Sequence, residues 1–96
     1  MSTIPVALVT GASGDIGGAI AKTLGGHGWH VIGTYVGAAD AAAQTVAAII
    51  EVGGSAEAMQ LDQRDPAAIE AIISNIEERY GHLDVLVNNA AWNIGI

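Results

Sequence analysis

Residues 6–18 read VALVTGASGDIGG, an apolar run that stops at a glycine-rich turn and continues as a helical pattern. Gly11, Gly14 and Gly17 recur at three-residue intervals within it. Glycines at this spacing allow a tight turn, a close approach of the backbone to a phosphate, and close packing of the next helix on the strand. The amides at the start of that helix carry the positive end of the helix dipole. The segment therefore predicts a dinucleotide site.

The rest of the chain alternates strand patterns with helix patterns and contains no linker or repeat. Strands are predicted over residues 5–10, 29–35, 56–61 and 83–88, and helices over residues 15–26, 39–52 and 66–81. Asp65-Pro66 predicts the start of the third helix, with Asp as N-cap and Pro at the first helical position. In the second helix, Val46, Ile49 and Ile50 are expected to face the core.

Four strands joined by three helices imply right-handed crossovers and a parallel sheet. The expected fold class is α/β, a Rossmann-type doubly wound sheet with strand order 3-2-1-4 and its switch point above the end of the first strand. The continuous apolar run Val85-Leu86-Val87 predicts a fourth strand that is buried on both faces. At 96 residues the chain is one small domain.

Composition and charge exclude several classes of function. The chain is 51% hydrophobic and its formal net charge is −7, with ten acidic residues against three basic ones, so nucleic acid is not an expected partner. It has no cysteine, and its three histidines form no metal-binding pattern, so no metal site is expected. No apolar run is long enough to span a membrane, and the N-terminus lacks the features of a signal peptide; we expect a cytoplasmic protein.

Three segments resemble the short-chain dehydrogenases/reductases. They are TGASGDIG at residues 10–17, Leu61-Asp62, and LDVLVNNAA at residues 83–91. Within that family the chain is most similar to bacterial 3-oxoacyl-(acyl-carrier-protein) reductases. The resemblance implies that residues 1–96 are an NAD(P)-binding Rossmann-fold domain, the N-terminal half of the family's fold. It places the dinucleotide across the ends of the four strands.

The resemblance also implies a role for individual residues. The pyrophosphate lies against Gly11, Ser13, Gly14, Ile16 and Gly17; the adenosine ribose against Tyr35 and Val36; adenine against Asp62 and Gln63; and the nicotinamide ribose over Asn89, Ala90 and Ala91. The residues themselves leave simpler alternatives open. Asp62 is also suited to be a turn carboxylate at a strand end, and Asn88 or Asn89 to tie neighbouring backbones together.

The sequence departs from the commoner family pattern in three places. Asp15 stands where the family has glycine, Gly14 stands where NADP-preferring members often have a basic residue, and Ala91 replaces the last glycine of the family's NNAG. Asp15 either caps or charges the start of the helix, which favours the helix but repels a nearby phosphate. A methyl group at Ala91 adds bulk where the cofactor usually meets none.

Cofactor choice depends on the end of the second strand, where NAD-preferring enzymes hold a carboxylate on the ribose hydroxyls. Residues 33–37, GTYVG, offer no carboxylate, so NADP(H) is favoured over NAD(H). No Arg or Lys lies there to bind the 2′-phosphate, and Lys22 is expected on a solvated helix face.

The family's catalytic serine and Tyr-x-x-x-Lys pair have no counterpart here. The only tyrosines, Tyr35 and Tyr80, are followed four residues later by Ala39 and Asp84. The expected function is thus the dinucleotide-binding part of an NADP(H)-dependent oxidoreductase acting on a small carbonyl or alcohol substrate, with the catalytic half absent and these 96 residues inactive alone. The alternative is a non-catalytic dinucleotide-binding or interaction module complete at Ile96.

The fourth strand, with its apolar Val85-Leu86-Val87 run, is expected to be an exposed sheet edge in the isolated chain. Exposed apolar edges invite pairing with another strand. We therefore expect a homo-oligomer, or association with the missing C-terminal half.

Overall fold

The computed structural model describes residues 4–12, 14–62 and 64–88, which form alternating strands and helices. The strands are β1 (Val6–Val9), β2 (His30–Tyr35), β3 (Ser55–Gln60) and β4 (Val85–Val87); the helices are α1 (Asp15–Gly26), α2 (Ala39–Glu51) and α3 (Pro66–Tyr80). Every element begins and ends within two residues of its expected bounds. No helix in these ranges is both long and apolar enough to cross a membrane.

The four strands form one parallel sheet in the order β3-β2-β1-β4, as the sequence predicts. Leu8 in β1 lies beside Ile32 of β2 on one side and Leu86 of β4 on the other. Because β1 sits inside the sheet, its residues are at most 2% exposed. Burying a Val or Leu side chain in this way stabilises the fold by about 1.5–3 kcal/mol.

Helices cover the sheet from both faces, which makes the fold doubly wound. On one face Leu8 and Ile32 pack with Ile72 and Ile76 of α3. On the other face a second core cluster, Val9, Ala12, Ala21, Val31 and Ile49, joins the sheet to α1 and α2. The second cluster includes Ala12 and so packs the glycine-rich turn between β1 and α1 against one end of the sheet.

Two expectations about burial are wrong. Leu86 in β4 is 53% exposed, so β4 is not buried on both faces; among the described strands β4 pairs only with β1 and lies at the sheet edge, which is the position expected for it in the isolated chain. Ile50 in α2 is 56% exposed. The buried positions of α2 are Ala42, Thr45 and Ile49, whose spacing of three and four residues defines a stripe that leaves Ile50 outside it.

Helix α3 starts where the sequence predicts. The Asp65 side chain accepts hydrogen bonds from the backbone amides of Ala67 (3.1 Å) and Ala68 (3.4 Å), with Pro66 at the first helical position. The helix ends at Tyr80 and is followed by the C-cap residue Gly81, whose φ of 83° is left-handed. Asp65 thus satisfies two amides that would otherwise have no acceptor.

The C-terminal end of α3 is held to the sheet by a carboxylate on β3. Glu57 accepts two hydrogen bonds from the Arg79 guanidinium, at 2.7 and 2.8 Å, and one from the Tyr80 hydroxyl at 2.5 Å. Arg79, above all, lowers the pKa of the Glu57 carboxyl from its ordinary 4.5 to about 2. A lowered pKa means that folding favours the ionised form, so the contribution to stability is complete above about pH 4.5 and is lost as the pH falls towards 2.

We expect Glu57→Gln to lower the free energy of unfolding at pH 7, because it removes the charge that Arg79 binds. The difference from the unmodified protein should shrink as the pH is lowered from 5 to 3, since over that range the Glu57 carboxyl takes up a proton in the unfolded state while it stays ionised in the folded one. Urea unfolding followed by circular dichroism at several pH values measures this. Glu70→Gln, at an exposed position of α3, is the control. A Glu57→Gln deficit that is the same at every pH would contradict the assignment.

Candidate functional site

The carboxyl ends of all four strands meet at one edge of the sheet because the strands are parallel. Thr10 follows β1, Tyr35 ends β2, Asp62 lies beyond β3 and Asn88 follows β4. From β1 the chain proceeds outward to β2 and β3, and then returns to β4 on the other side of β1. Such a reversal opens a crevice above the end of β1, the usual place for a ligand in this type of sheet.

The glycine-rich turn lies at this crevice. Gly11 has a φ of 69°, a left-handed conformation that a side chain disfavours. The turn closes through a hydrogen bond from the Gly14 amide to the Gly11 carbonyl, at 3.1 Å. Gly14 is then the N-cap of α1, so the strand, the turn and the helix follow each other without a spacer.

Three neighbouring elements hold the turn in place. The Thr10 amide donates to the Val87 carbonyl of β4 at 3.0 Å, and the Ala12 amide donates to the Thr34 carbonyl of β2 at 2.9 Å. The hydroxyl of Thr45, which is buried in α2, donates to the Ala12 carbonyl at 3.1 Å. The turn is therefore hydrogen-bonded on both sides of β1 and from the helix packed against it.

The start of α1 presents backbone donors for which no described residue is an acceptor. The Gly18 amide donates to the Gly14 carbonyl at 2.8 Å, but within the described ranges no acceptor is found for the amides of Asp15, Ile16 and Gly17. Unused amides at a helix start, backed by the helix dipole, bind anions. These three amides, at the crevice, fit a phosphate group.

Asp15 does not cap α1. Gly14 occupies the N-cap position and α1 has no side-chain cap, because Asp15 is already the first helical residue. The other part of the expectation holds: Asp15 adds a negative charge to the first turn of the helix, and it is exposed. This charge stabilises the helix but lies beside the amides that would bind an anion.

Asp62 behaves as a turn carboxylate. Its Oδ1 accepts hydrogen bonds from the backbone amide and Nε of Arg64, both at 3.0 Å, and its Oδ2 from Nη2 at 2.8 Å. These bonds from Arg64 lower the pKa of Asp62 to about 2. The carboxylate is thus ionised at neutral pH and fixed in orientation at the end of β3.

The remaining predicted residues that the structure describes sit around the ends of β2 and β4. The Tyr35 carbonyl accepts from the Leu61 amide at 2.9 Å, and the carbonyl of the exposed Val36 accepts from Nε2 of Gln60 at 3.0 Å. The Thr10 hydroxyl lies 3.3 Å from Oδ1 of Asn88. Asn88 thereby links the ends of β1 and β4, which is the simpler of the two roles that the sequence allows.

Gly11, Gly14, Ile16, Gly17, Tyr35, Val36 and Asp62 all lie at the carboxyl edge of the sheet. Ile16 is notable because its side chain is 69% exposed although it is large and apolar. Ser13, Gln63, Asn89, Ala90 and Ala91 lie outside the described residues. Among those described, no group of three or more His, Asp or Glu side chains is placed to hold a metal ion.

Sequence reasoning missed Thr45, which fixes the carbonyl of Ala12. The sequence does contain a signal for this role, because Thr45 is a lone threonine one helical turn from Ala42 and from Ile49 in an otherwise apolar stripe. Sequence reasoning also missed the groove between α1 and α2, about 420 Å³, which includes Gly14, Lys22 and Thr45 in its lining. The groove depends on helix packing, which periodicity alone does not give.

We expect Gly33→Ala to destabilise the protein by about 1–3 kcal/mol, the usual range for an overpacked core. A Cβ atom at Gly33 would lie 2.7 Å from Cβ of Ala12, so the turn or β2 must move. Urea unfolding gives the free energy. Gly37→Ala is the matched control, since a Cβ there meets nothing within 4 Å. Equal stability of the Gly33→Ala and Gly37→Ala variants would show that the turn is not packed this tightly.

Comparison with known proteins covers nearly the whole chain. The family described as short chain dehydrogenase matches residues 5–95. The 3-oxoacyl-(acyl-carrier-protein) reductase of Escherichia coli is 42% identical over 85 residues, which are 88% of this chain and 33% of that protein. The 1-cyclohexenylcarbonyl-CoA reductase of Streptomyces collinus is 41% identical over 86 residues, 90% of this chain and 31% of that protein. The chain spans about a third of the length of these curated relatives.

Solved structures agree with this similarity. A dehydrogenase/reductase from Sinorhizobium meliloti superposes with a TM-score of 0.85 at 47% identity, over 91% of this chain and 34% of that one. A metagenomic short-chain oxidoreductase in complex with NADP gives a TM-score of 0.87 at 38% identity, over 95% of this chain and 42% of the other.

Proposed function

The chain belongs to the short-chain dehydrogenase family, and we propose that it forms the dinucleotide-binding part of an NADP(H)-dependent oxidoreductase. The reaction is hydride transfer between the nicotinamide and a carbonyl or hydroxyl carbon of a small substrate. The observation that carries the proposal is the set of three unused amides at the start of α1, beside the crevice above β1.

The pyrophosphate is assigned to the glycine-rich turn, against Gly11, Ser13, Gly14, Ile16 and Gly17. Backbone groups are suited to this task here because the turn has no cationic side chain of its own. The helix dipole and the free amides of residues 15–17 supply the attraction instead. The space beside Gly14 supports the assignment. A Cβ built at Gly14 would meet only the Gly11 carbonyl oxygen within 4 Å, at 3.6 Å, so the space that a side chain would occupy is open to a phosphate.

The adenosine is assigned to the ends of β2 and β3. Tyr35 and Val36 lie beside the ribose, and Asp62 and Gln63 beside adenine. Asp62 suits a role as an acceptor because Arg64 keeps it ionised and oriented, and a carboxylate has about four acceptor positions. A bond from Asp62 to an amino group of the base is compatible with its bonds to Arg64.

We favour NADP(H) over NAD(H) for two reasons. The end of β2, from Gly33 to Gly37, has no carboxylate that would repel a 2′-phosphate. One structural relative was solved in complex with NADP.

The nicotinamide ribose is assigned to Asn89, Ala90 and Ala91, just beyond β4. When bound, the nicotinamide supplies or accepts the hydride. The 96 residues have no Tyr-x-x-x-Lys pair to exchange a proton with the substrate oxygen. We therefore expect them to bind the dinucleotide without turnover.

Titration with NADPH and, separately, with NADH tests the proposal through the fluorescence of the reduced nicotinamide. We expect a saturable change with both, at lower concentration for NADPH. A Gly11→Val variant, which places a branched side chain at a positive φ, should lose the response. The absence of a saturable change with either dinucleotide would overturn the assignment.

The same titration measures the effect of the Asp15 charge. We expect Asp15→Asn to tighten NADPH binding about two- to fivefold, the usual size of one charge at a helix start. Glu78→Gln, an exposed position on α3, removes one negative charge elsewhere and should leave the affinity unchanged. Unchanged affinity in Asp15→Asn would show that the Asp15 carboxylate does not face the phosphates.

We also propose that the β4 edge associates, either with a second copy of the chain or with the rest of a longer enzyme. Leu86 is exposed there, and an apolar groove of about 170 Å³ beside it includes Leu8, Ile69 and Ile73 in its lining. An unpaired strand edge next to an apolar groove favours pairing.

Light scattering on a concentration series of the 96-residue chain should show oligomers. Leu86→Lys should shift the chain towards monomer, because it places a charge at the edge. Val52→Lys, at a position 71% exposed at the end of α2, should not. A monomer at all concentrations would exclude self-association.

A further inference from the structure

A cluster of polar side chains lies at the amino-terminal edge of the sheet, opposite the proposed dinucleotide crevice. It surrounds a cavity of about 430 Å³. The lining residues are Ile4, Val6, His30, Ser55, Arg79, Tyr80 and His82. None of them has a place in the proposed dinucleotide site.

Strand register brings three of these polar groups together. His30 is the first residue of β2 and pairs with Ser55, the first residue of β3. Glu57 lies two residues further along β3 and so on the same face as Ser55. As a result His30 contacts both neighbours: its Nδ1 is hydrogen-bonded to the Ser55 hydroxyl, and its Nε2 lies 3.1 Å from Oε2 of Glu57.

The charge on Glu57 determines which nitrogen of the neutral His30 ring carries the hydrogen. Glu57 is ionised at neutral pH, since Arg79 holds the pKa of its carboxyl at about 2, and a carboxylate only accepts hydrogen bonds. In the neutral ring, Nε2 must then carry the hydrogen that is donated to Glu57. Nδ1 keeps its lone pair and accepts the hydrogen of the Ser55 hydroxyl. This is the arrangement of nucleophile, base and orienting carboxylate that activates a serine.

Other contacts keep the imidazole in this position. Its ring lies 4.8 Å from the Tyr80 ring, centroid to centroid, and the His30 side chain is only 13% exposed. Tyr80 and Arg79 in turn bind Glu57. Ser55 itself is exposed and lines the cavity, so a reagent can reach the hydroxyl while the base is shielded from water.

We propose that Ser55 is a nucleophile for esters of small carboxylic acids, with His30 as its general base and Glu57 as the positioning residue. The Ser55 oxygen attacks the carbonyl carbon while its proton passes to Nδ1 of His30. The bond from that carbon to the leaving alcohol oxygen then breaks, and the oxygen takes the proton from Nδ1. Water, deprotonated by the same nitrogen, hydrolyses the acyl-serine to the carboxylic acid and restores Ser55.

The cavity walls fit this class of compound. Ile4 and Val6 provide an apolar surface for a short acyl chain. Arg79, which is paired with Glu57, also lines the cavity, and its positive charge would stabilise the negative charge that develops on the carbonyl oxygen.

A fluorophosphonate probe, which forms a covalent bond with activated serines, tests the proposal on the purified chain without any dinucleotide. We expect one probe per chain by intact mass, mapped to Ser55 by peptide analysis. Ser55→Ala should abolish labelling. Ser74→Ala, at an exposed position on α3, should label like the unmodified chain. Because no dinucleotide is present, the result is independent of the proposed oxidoreductase function.

A His30→Gln variant separates an activated serine from one that is merely exposed. We expect its labelling rate to fall by about 10²-fold or more, the usual contribution of a general base. Circular dichroism of this variant establishes that it is folded. Labelling of the unmodified chain no faster than that of Ser55→Ala would overturn the proposal, as would an unchanged rate in folded His30→Gln or a label that maps to another residue.

Discussion

The carboxyl edge of the sheet depends on one contact, the packing of Ala12 against β2 and against helices α1 and α2. The Ala12 amide donates a hydrogen bond to the Thr34 carbonyl, and the Ala12 carbonyl accepts one from the Thr45 hydroxyl. The Ala12 methyl group lies so close to β2 that only glycine fits at position 33, and a Cβ at Gly18 would lie 3.3 Å from the Ala12 carbonyl oxygen. Once Ala12 is fixed, the turn, the start of α1 and its free amides are fixed as well.

The acidic character of the chain gives this crevice an unusual charge balance. Its net charge is −7, and two carboxylates, Asp15 and Asp62, lie at the edge where the anionic cofactor is proposed to bind. The proposed attraction of the cofactor phosphates therefore depends on peptide dipoles rather than on cationic side chains. The nearby cation, Arg64, is already paired with Asp62. Backbone donors serve this purpose because they are fixed by the turn and need no ordering when an anion binds.

The fold was largely predictable from local signals, because alternating apolar segments, glycine turns and Asp65-Pro66 each specify a nearby piece of backbone. Burial was less predictable. The apolar run of β4 predicts a strand buried on both faces, but its position at the sheet edge, which was also expected for the isolated chain, leaves Leu86 exposed. The trio of His30, Ser55 and Glu57 was not predictable, since Ser55 lies 25 residues from His30 and only the strand register brings them together.

The central claim, that the dinucleotide binds through the start of α1, is tested most directly by amide chemical-shift mapping. We expect addition of NADP⁺ to the ¹⁵N-labelled chain to shift the amide resonances of Asp15, Ile16 and Gly17 in a saturable way, while those of Ser55 and Tyr80 at the opposite edge stay in place. Saturable binding that leaves the three α1 amides unmoved, or that shifts the opposite edge instead, would contradict the account.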